Sequence, residues 1–386
     1  MANVFTNLTC DIYCALDTIS REQIGFIPAV TLDACGIRAA VGQTVRSFIT
    51  PQVVATDIVP GQQGPDFGFQ TIGNRTITIN KQRTVSWIWE GEEMRALDAC
   101  GAGSNSIFQQ QVEQAMRAIT NEMEADLAAL WTFASRVVLP SGTTLFDANN
   151  YRDMANVHGA LLEAGAPPND LQLVLSNRAA AALRGNAQYT GCDTACSDNI
   201  LRQGVLLDQF GMSIRQSAQV ASGVVAGTGA LATTNAAGYA IGATVITLAA
   251  AGTGTILVGD TVQFAGDAHN YVVVAGDADV SDGGTITLNT GLLQAIPAAA
   301  TALTLVSDAG EKNMAFPRSA IVLLARAPAN PPMCTADDNF TLVTDPRSGL
   351  TFEVARFCEY RRVRFEVAAV WGVGVMKPEH LVILSD

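Results

Sequence analysis

Between Ser106 and Val138 apolar side chains recur at every third or fourth position: Phe108, Val112, Ala115, Ile119, Met123, Leu127, Leu130 and Ala134. That period gathers them on one stripe of a helix. Neither Gly nor Pro interrupts the run, and at the helical rise it would extend about 50 Å. Ser106 with Gln109 predicts a capping box at its start, and Glu113 with Arg117 a favourable i,i+4 pair. A helix this long exceeds the usual three or four turns. It suits a plate-like subunit or an oligomer better than a small globular domain.

The pattern before that helix has a different period. Arg75 to Lys81 alternates polar and apolar, and Thr84 to Trp89 repeats the alternation with aromatic weight. Together they predict a hairpin with little apolar cover, marginal alone and in need of a neighbour. Glu90, Glu92 and Glu93 follow at once. Residues 1–45 carry too little apolar surface for a private core and read as an arm lying on something else. After the long helix come a second helical face from Asn150 to Glu163, a buried strand Leu171–Leu175, and a short helix capped by Ser176 or Asn177. Met212 to Arg215 reads as a strand.

At Gln216 the pattern changes again. Short alternating runs at 244–248, 260–264, 271–274, 285–288 and 302–306 are separated by glycine- and aspartate-rich turns. Regular short strands of this kind predict a small barrel or sandwich, inserted at roughly 218–312. From Ala315 the mixed pattern returns. Ser319–Arg326 is a buried segment, Val354–Phe357 and Arg362–Ala369 form an antiparallel pair, and Leu381–Leu384 is a final strand.

Composition narrows the function classes. The chain has 386 residues, 48% of them hydrophobic, which is enough for several cores. Lys and Arg number 23 against 36 Asp and Glu, a net charge of -13. Such a surface repels nucleic acid at long range. Residues 216–311 contain no Lys or Arg at all. No signal-peptide pattern and no run of eighteen apolar residues occurs, so no membrane partner is expected.

Candidate chemistry is sparse, and no catalytic, cofactor-binding or metal site is expected. His158, His269 and His380 fall in three different elements, none beside a relay partner. Glu90, Glu92 and Glu93 lie in a hinge, whereas catalytic carboxylates need a fixed separation across a cleft. Gly227-Thr-Gly229 and Gly252-Thr-Gly254 lack the Gly-Lys-Ser/Thr of a phosphate loop. The eight cysteines are scattered, as in a chain of free thiols. Cys192 and Cys196 leave a metal or a disulfide open, without the second pair that four-coordinate zinc needs. Asn7, Asn74 and Asn339 begin glycosylation-type triplets that no export signal supports. Arg356, Arg361, Arg362 and Arg364 are the one basic concentration. Alternation puts Arg362 and Arg364 on one side of a strand, facing acids such as Glu90, Glu92 or Glu93 of another subunit, packaged nucleic acid, or solvent.

The order of these segments resembles the major capsid proteins of tailed phages with the HK97-type fold, in their P22-coat-like branch. The resemblance runs through Ile27-Pro28, Val85-Ser-Trp-Ile-Trp-Glu-Gly-Glu-Glu-Met-Arg95, the helix 106–138, Gly259–Gly266, Asn313–Val322 and Trp371–Glu379. It implies an α+β fold with a long spine helix and an inserted all-β, barrel-like domain. Residues 1–45 would be the N-terminal arm and 46–92 the extended loop reaching a neighbour. Residues 93–144 and 356–386 would form the peripheral domain, 145–217 and 313–355 the axial domain, and 218–312 the insertion. It further implies a non-enzymatic homo-oligomer of hexamers and pentamers, assembled in the host cytoplasm into a virion capsid around double-stranded DNA. Scaffolding and portal proteins would be partners, with a decoration protein as a further candidate, and the procapsid would expand. Inter-subunit contacts are expected at Trp87, Trp89, Glu90, Glu92, Glu93, Arg362 and Arg364. The rival readings are a cellular shell enclosing enzymes and a β-rich glycan- or surface-binding module.

Overall fold

The computed structural model describes residues 22–33, 38–50, 57, 60, 72–99, 104–141, 145–146, 151–186, 206, 208–221, 227–306, 310–329 and 340–385. In chain order the elements begin with β1 (Thr31–Asp33), β2 (Thr44–Ile49), β3 (Gly73–Thr78), β4 (Lys81–Glu90), α1 (Gly91–Ala99) and α2 (Ser104–Ala128). There follow β5 (Arg136–Val138), α3 (Arg152–Glu163), β6 (Leu171–Leu175), α4 (Asn177–Gly185) and β7 (Met212–Gln216). Next come β8 (Val245–Thr247), β9 (Thr261–Phe264), β10 (Asn270–Ala275), β11 (Thr285–Leu288) and β12 (Leu303–Val306). The chain closes with β13 (Lys312–Pro317), β14 (Ile321–Arg326), β15 (Phe340–Thr344), β16 (Thr351–Glu359), β17 (Arg362–Val375) and β18 (Val382–Ser385).

The apolar stripe of α2 is where its period puts it. Ala115, Ile119, Met123 and Leu127 are buried in one core with Phe316, Phe352, Val367 and Trp371. The helix is shorter than its pattern suggested. It gives way to a tight 3-10 turn at Ala129–Phe133, and residues 136–138 become a strand parallel to β18. No breaker marks this end. The β-branched pair Val137-Val138 finds strand partners in Ile383 and Leu384, and Ser135 donates its N–H to the Leu381 carbonyl at 3.1 Å. The start also differs: helix begins at Ser104, so Ser106 lies inside it rather than at a cap. Arg117 turns from Glu113 to Glu22, while Gln109 donates to Glu113.

The expected hairpin between 75–81 and 84–89 is not formed. β3 pairs instead with β2 in a two-stranded ribbon, Thr44 opposite Thr78 and Ile49 opposite Gly73. β4 runs on into a different sheet, antiparallel to β17 from Lys81–Trp371 to Glu90–Arg362. A two-residue reversal at Ile79-Asn80 would need positive φ at Ile79 in either favoured hairpin turn, which a β-branched residue resists. Ile79 is buried with Ala39, Ile77, Leu324 and Val370, and that anchorage carries the chain across β17 rather than back along β3.

β17 is the centre of the main sheet. β4 lies along one edge, and β16 and then β14 occupy the other. β1 extends this sheet beyond β14, and β15 beyond β16. A second sheet, ordered β5-β18-β13-β6-β7, is covered by α3 and α4 through Met154, Val157, Leu161, Ala180 and Leu183. Ser176 caps α4, accepting the Ala179 N–H at 3.0 Å. All five strands expected within 218–312 are present, in the antiparallel order β12-β9-β10-β11-β8. Residues 232–235 bond to both edges of that sheet, through Leu303 N–H to Ala232 O on one side and Asn235 N–H to Thr247 O on the other. The sheet is thereby curled into a partly closed barrel around Phe264, Tyr271 and Ile286. It also leans on the end of the spine: Asn270 donates to Ser135 O at 2.8 Å and Asn289 to Thr132 O at 2.7 Å.

Candidate assembly surfaces

Trp87 and Trp89 stand two residues apart on β4 and so share a face. Both pack inside their own chain, against Phe108 of α2 and Phe365 of β17, with ring centroids 5.9–6.1 Å apart. Trp89 is buried, and its indole N–H donates to Gln111 Oε1 at 3.0 Å. Trp87 is half-buried and borders a groove of about 380 Å³ between β4 and α2, lined by Ser86, Gln111 and Gln114 among others. The aromatic weight that suggested a contact with another subunit first welds strand, helix and sheet together.

The charged candidates are also brought together within one chain. Arg362 and Arg364 both reach Glu359 across the β16–β17 turn, with Nε donating at 2.6 and 2.8 Å. Arg364 also lies 3.5 Å from Glu366. Beside Arg364, and then Arg362, the Glu359 carboxyl is held below its usual range. In the strand ladder Arg362 stands opposite Glu90. Glu93 accepts the Glu90 N–H at 3.1 Å, as a capping box would have it, and Glu92 and Glu93 occupy the first turn of α1, where negative charge meets the positive end of the helix dipole. These groups are arranged to satisfy each other first.

The exposed apolar surface lies elsewhere, at positions that periodicity alone did not mark. On the β2–β3 ribbon Phe48 is 81% exposed, and Ile72 beside it is 62% exposed. Tyr360, at the β16–β17 turn, is 89% exposed. Leu342 lies on β15, an outer strand of its sheet. A two-stranded ribbon with open edges and bulky exposed side chains is a template for association. The signal for Phe48 was present in the sequence, since a large aromatic in a strand beside Pro51 has no apolar neighbours on its face.

Little here resembles a reaction centre. His158 on α3 lies 6.4 Å from the Phe210 ring, and His269 Nδ1 is 2.6 Å from Asp267. Burial pushes His380 below the usual imidazole range. Among the described residues no group of three or more His, Cys, Asp or Glu is placed to hold a metal, and no helix is long and apolar enough to cross a membrane. Cys358 is free and exposed, whereas Cys192 and Cys196 lie outside the described residues.

No family model matches the chain, and no curated protein matches its sequence. Solved structures do match. A structure from Mycobacterium phage Che8 superposes with a TM-score of 0.53 at 13% identity, over 99% of this chain and 98% of that one. The capsid structure of cyanophage P-SCSP1u gives 0.52 at 12% identity, covering 100% and 92%. The mature capsid of bacteriophage PhiM1 gives 0.51 at 10% identity, covering 100% and 91%. The fold is a phage capsid-protein fold related to the HK97 type. Within this capsid fold, α2 is the long helix, β4 with β17 is the sheet it packs on, and the β2–β3 ribbon projects the exposed Phe48.

Proposed function

We propose that this chain is the major capsid subunit of a tailed double-stranded DNA phage, a structural protein located in the virion shell. The observation that carries the reading is the extent of the fold match: it spans essentially the whole chain and nine-tenths or more of phage capsid structures. Packing supports it. The ribbon root is buried, but its outer part offers Phe48 and Ile72 without cover. A subunit with such an open-edged ribbon suits the large interfaces of obligate assemblies. The division into arm, extended loop, peripheral, axial and inserted parts follows, with the loop at β2–β3. The curled sheet of β8–β12 favours the P22-coat-like branch. Hexamers and pentamers, a separate scaffold, a portal and an expanding procapsid belong to the same proposal.

Two measurements test it. Purified protein, examined by electron microscopy and sedimentation, is expected to form closed shells, and a strictly monomeric chain under all assembly conditions would sink the reading. Double-stranded DNA inside particles from the natural source supports a phage, whereas an enzyme cargo supports a cellular shell. The stretch joining β2 to β3 is tested separately. Ile49 and Gly73 face each other, so residues 50–72 can be replaced by a short glycine-rich turn. The shortened chain is expected to keep its melting transition and lose assembly. Normal shells would show that residues 50–72 are not the connector.

A further inference from the structure

Residues 22–27 run along α2 and meet it through two carboxylates used in opposite senses. Glu22, on the arm, accepts from Arg117 Nε at 2.8 Å and from Asn121 Nδ2 at 2.6 Å, both on the helix. Further along α2 the helix supplies the acid. Glu124, 0% exposed, accepts the backbone N–H of Ile27 at 2.8 Å on one oxygen. On its other oxygen it accepts Phe26 N–H at 3.1 Å, Gly25 N–H at 3.3 Å and the Ser217 hydroxyl at 2.7 Å. Ser217 lies just after β7, where the chain turns toward the β8–β12 sheet. There Ala218 N–H donates to Gln23 O at 3.1 Å, and Lys312 N–H, on the returning strand, donates to Ala221 O at 2.8 Å. The fit is tight: a Cβ on Gly25 would sit 2.7 Å from the Gln216 carbonyl oxygen.

We infer that Glu22 and Glu124 form a latch coupling the N-terminal arm to the root of the inserted sheet, so that releasing residues 22–27 also frees residues 217–218. A helix carboxylate serving three consecutive arm amides does more than pack, because among the described residues those three N–H groups have no other acceptor. Removing the acid orphans donors on the arm and at Ser217 in one step.

The two acids respond to pH in opposite directions. Arg117 holds Glu22 down to about 2, so its contribution is present above the ordinary carboxylate value and is lost as pH falls toward about 2. Burial pushes Glu124 up, against the pull of its hydrogen bonds. Its contribution is therefore present below the ordinary value and is lost as pH rises through the raised one. Among the described residues, the charged groups that bond at the joint are Arg117 from α2, which faces Glu22, and Arg347, whose Nη2 donates to the Glu22 carbonyl. The groups acting on Glu124 are uncharged, and its helix neighbours Glu122 and Asp126 are occupied by Lys81 and Arg83 of β4.

The test is amide hydrogen exchange on the full-length, unassembled subunit, and it holds whether or not the chain forms shells. Glu124→Ala and Glu22→Ala are each expected to speed exchange at Gly25–Ile27 and at Ala218 together, by about tenfold or more, while β4 and β17 stay protected. Unchanged rates at 25–27, or loosening there with Ala218 still protected, would overturn the coupling. Should Glu124→Ala lose protection everywhere, Glu22→Ala decides alone, since its side chain lies outside the core. After correction for intrinsic chemistry, raising the pH is expected to increase opening in the wild type and not in Glu124→Gln. An equal rise in both would remove Glu124 from the latch.

Discussion

Leu127→Asp is expected to leave no folded subunit. Leu127 is 0% exposed on the inward stripe of α2, in the core that holds Phe316, Phe352 and Trp371. Deleting a buried leucine side chain costs about 2–5 kcal/mol. An unpaired carboxylate in the same place adds several kcal/mol more, or is protonated at similar cost. The sum approaches the whole stability of an ordinary domain, about 5–15 kcal/mol. Leu127→Met, close in volume, should cost under about 1.5 kcal/mol. Circular dichroism through a thermal ramp separates the outcomes: no cooperative transition for the aspartate, a slightly lowered one for the methionine. An unchanged transition in Leu127→Asp would mean that α2 presents a different face.

Gly372→Val should separate folding from assembly. At Gly372 the ribbon root crosses β17 so closely that a Cβ would lie 2.3 Å from the Thr78 carbonyl oxygen and 3.0 Å from the Ile79 Cα. Both are backbone atoms, so no rotamer change relieves the clash. At Gly374 the contact is with the Ile77 side chain, at 2.7 Å, which can give. A branched side chain at 372 therefore lifts the ribbon off the core of Ala39, Ile77, Ile79 and Val370. Overpacking costs about 1–3 kcal/mol, enough to lower the melting temperature without unfolding the sheets. The expected result is a folded, soluble subunit that sediments as a small species where the wild type forms particles. Gly91→Ala, at a position with open space around it, is the matched control and should assemble normally. Normal particles from Gly372→Val would place the ribbon root elsewhere.

What could be read from the chain followed from local period. The strands of the β8–β12 sheet, the cap at Ser176 and the inward stripe of α2 were legible because alternation, glycine turns and a three-to-four repeat are short-range signals. What could not be read depended on partners far away in sequence. Nothing between Ala129 and Val138 breaks a helix, and the strand there exists because Val382–Leu384 offers it a ladder. Trp87 and Trp89 were legible as an aromatic strand face expected to meet another subunit, but alternation names a face and not its occupant, which within the chain is Phe108 and Phe365. Arg362 and Arg364 look available until the turn at Tyr360-Arg361 brings Glu359 back across the strand pair. Phe48 carried a local signal, a large aromatic with no apolar neighbour on its face, but its place on an open ribbon followed only from the pairing of β3 with β2.

β17 sets an order of events during synthesis. β4 and the inward stripe of α2 leave the ribosome long before β17, the strand that completes them. The β8–β12 sheet has shorter-range pairings and can close while translation continues. A nascent or truncated chain lacking residues 362–375 has no edge to receive β4 and no floor for the ribbon to cross. Such a chain exposes apolar surface and an unpaired strand, the features that make incomplete folds prone to aggregate. The central strand thus ties completion of both the sheet edge and the spine core to the synthesis of residues 362–375.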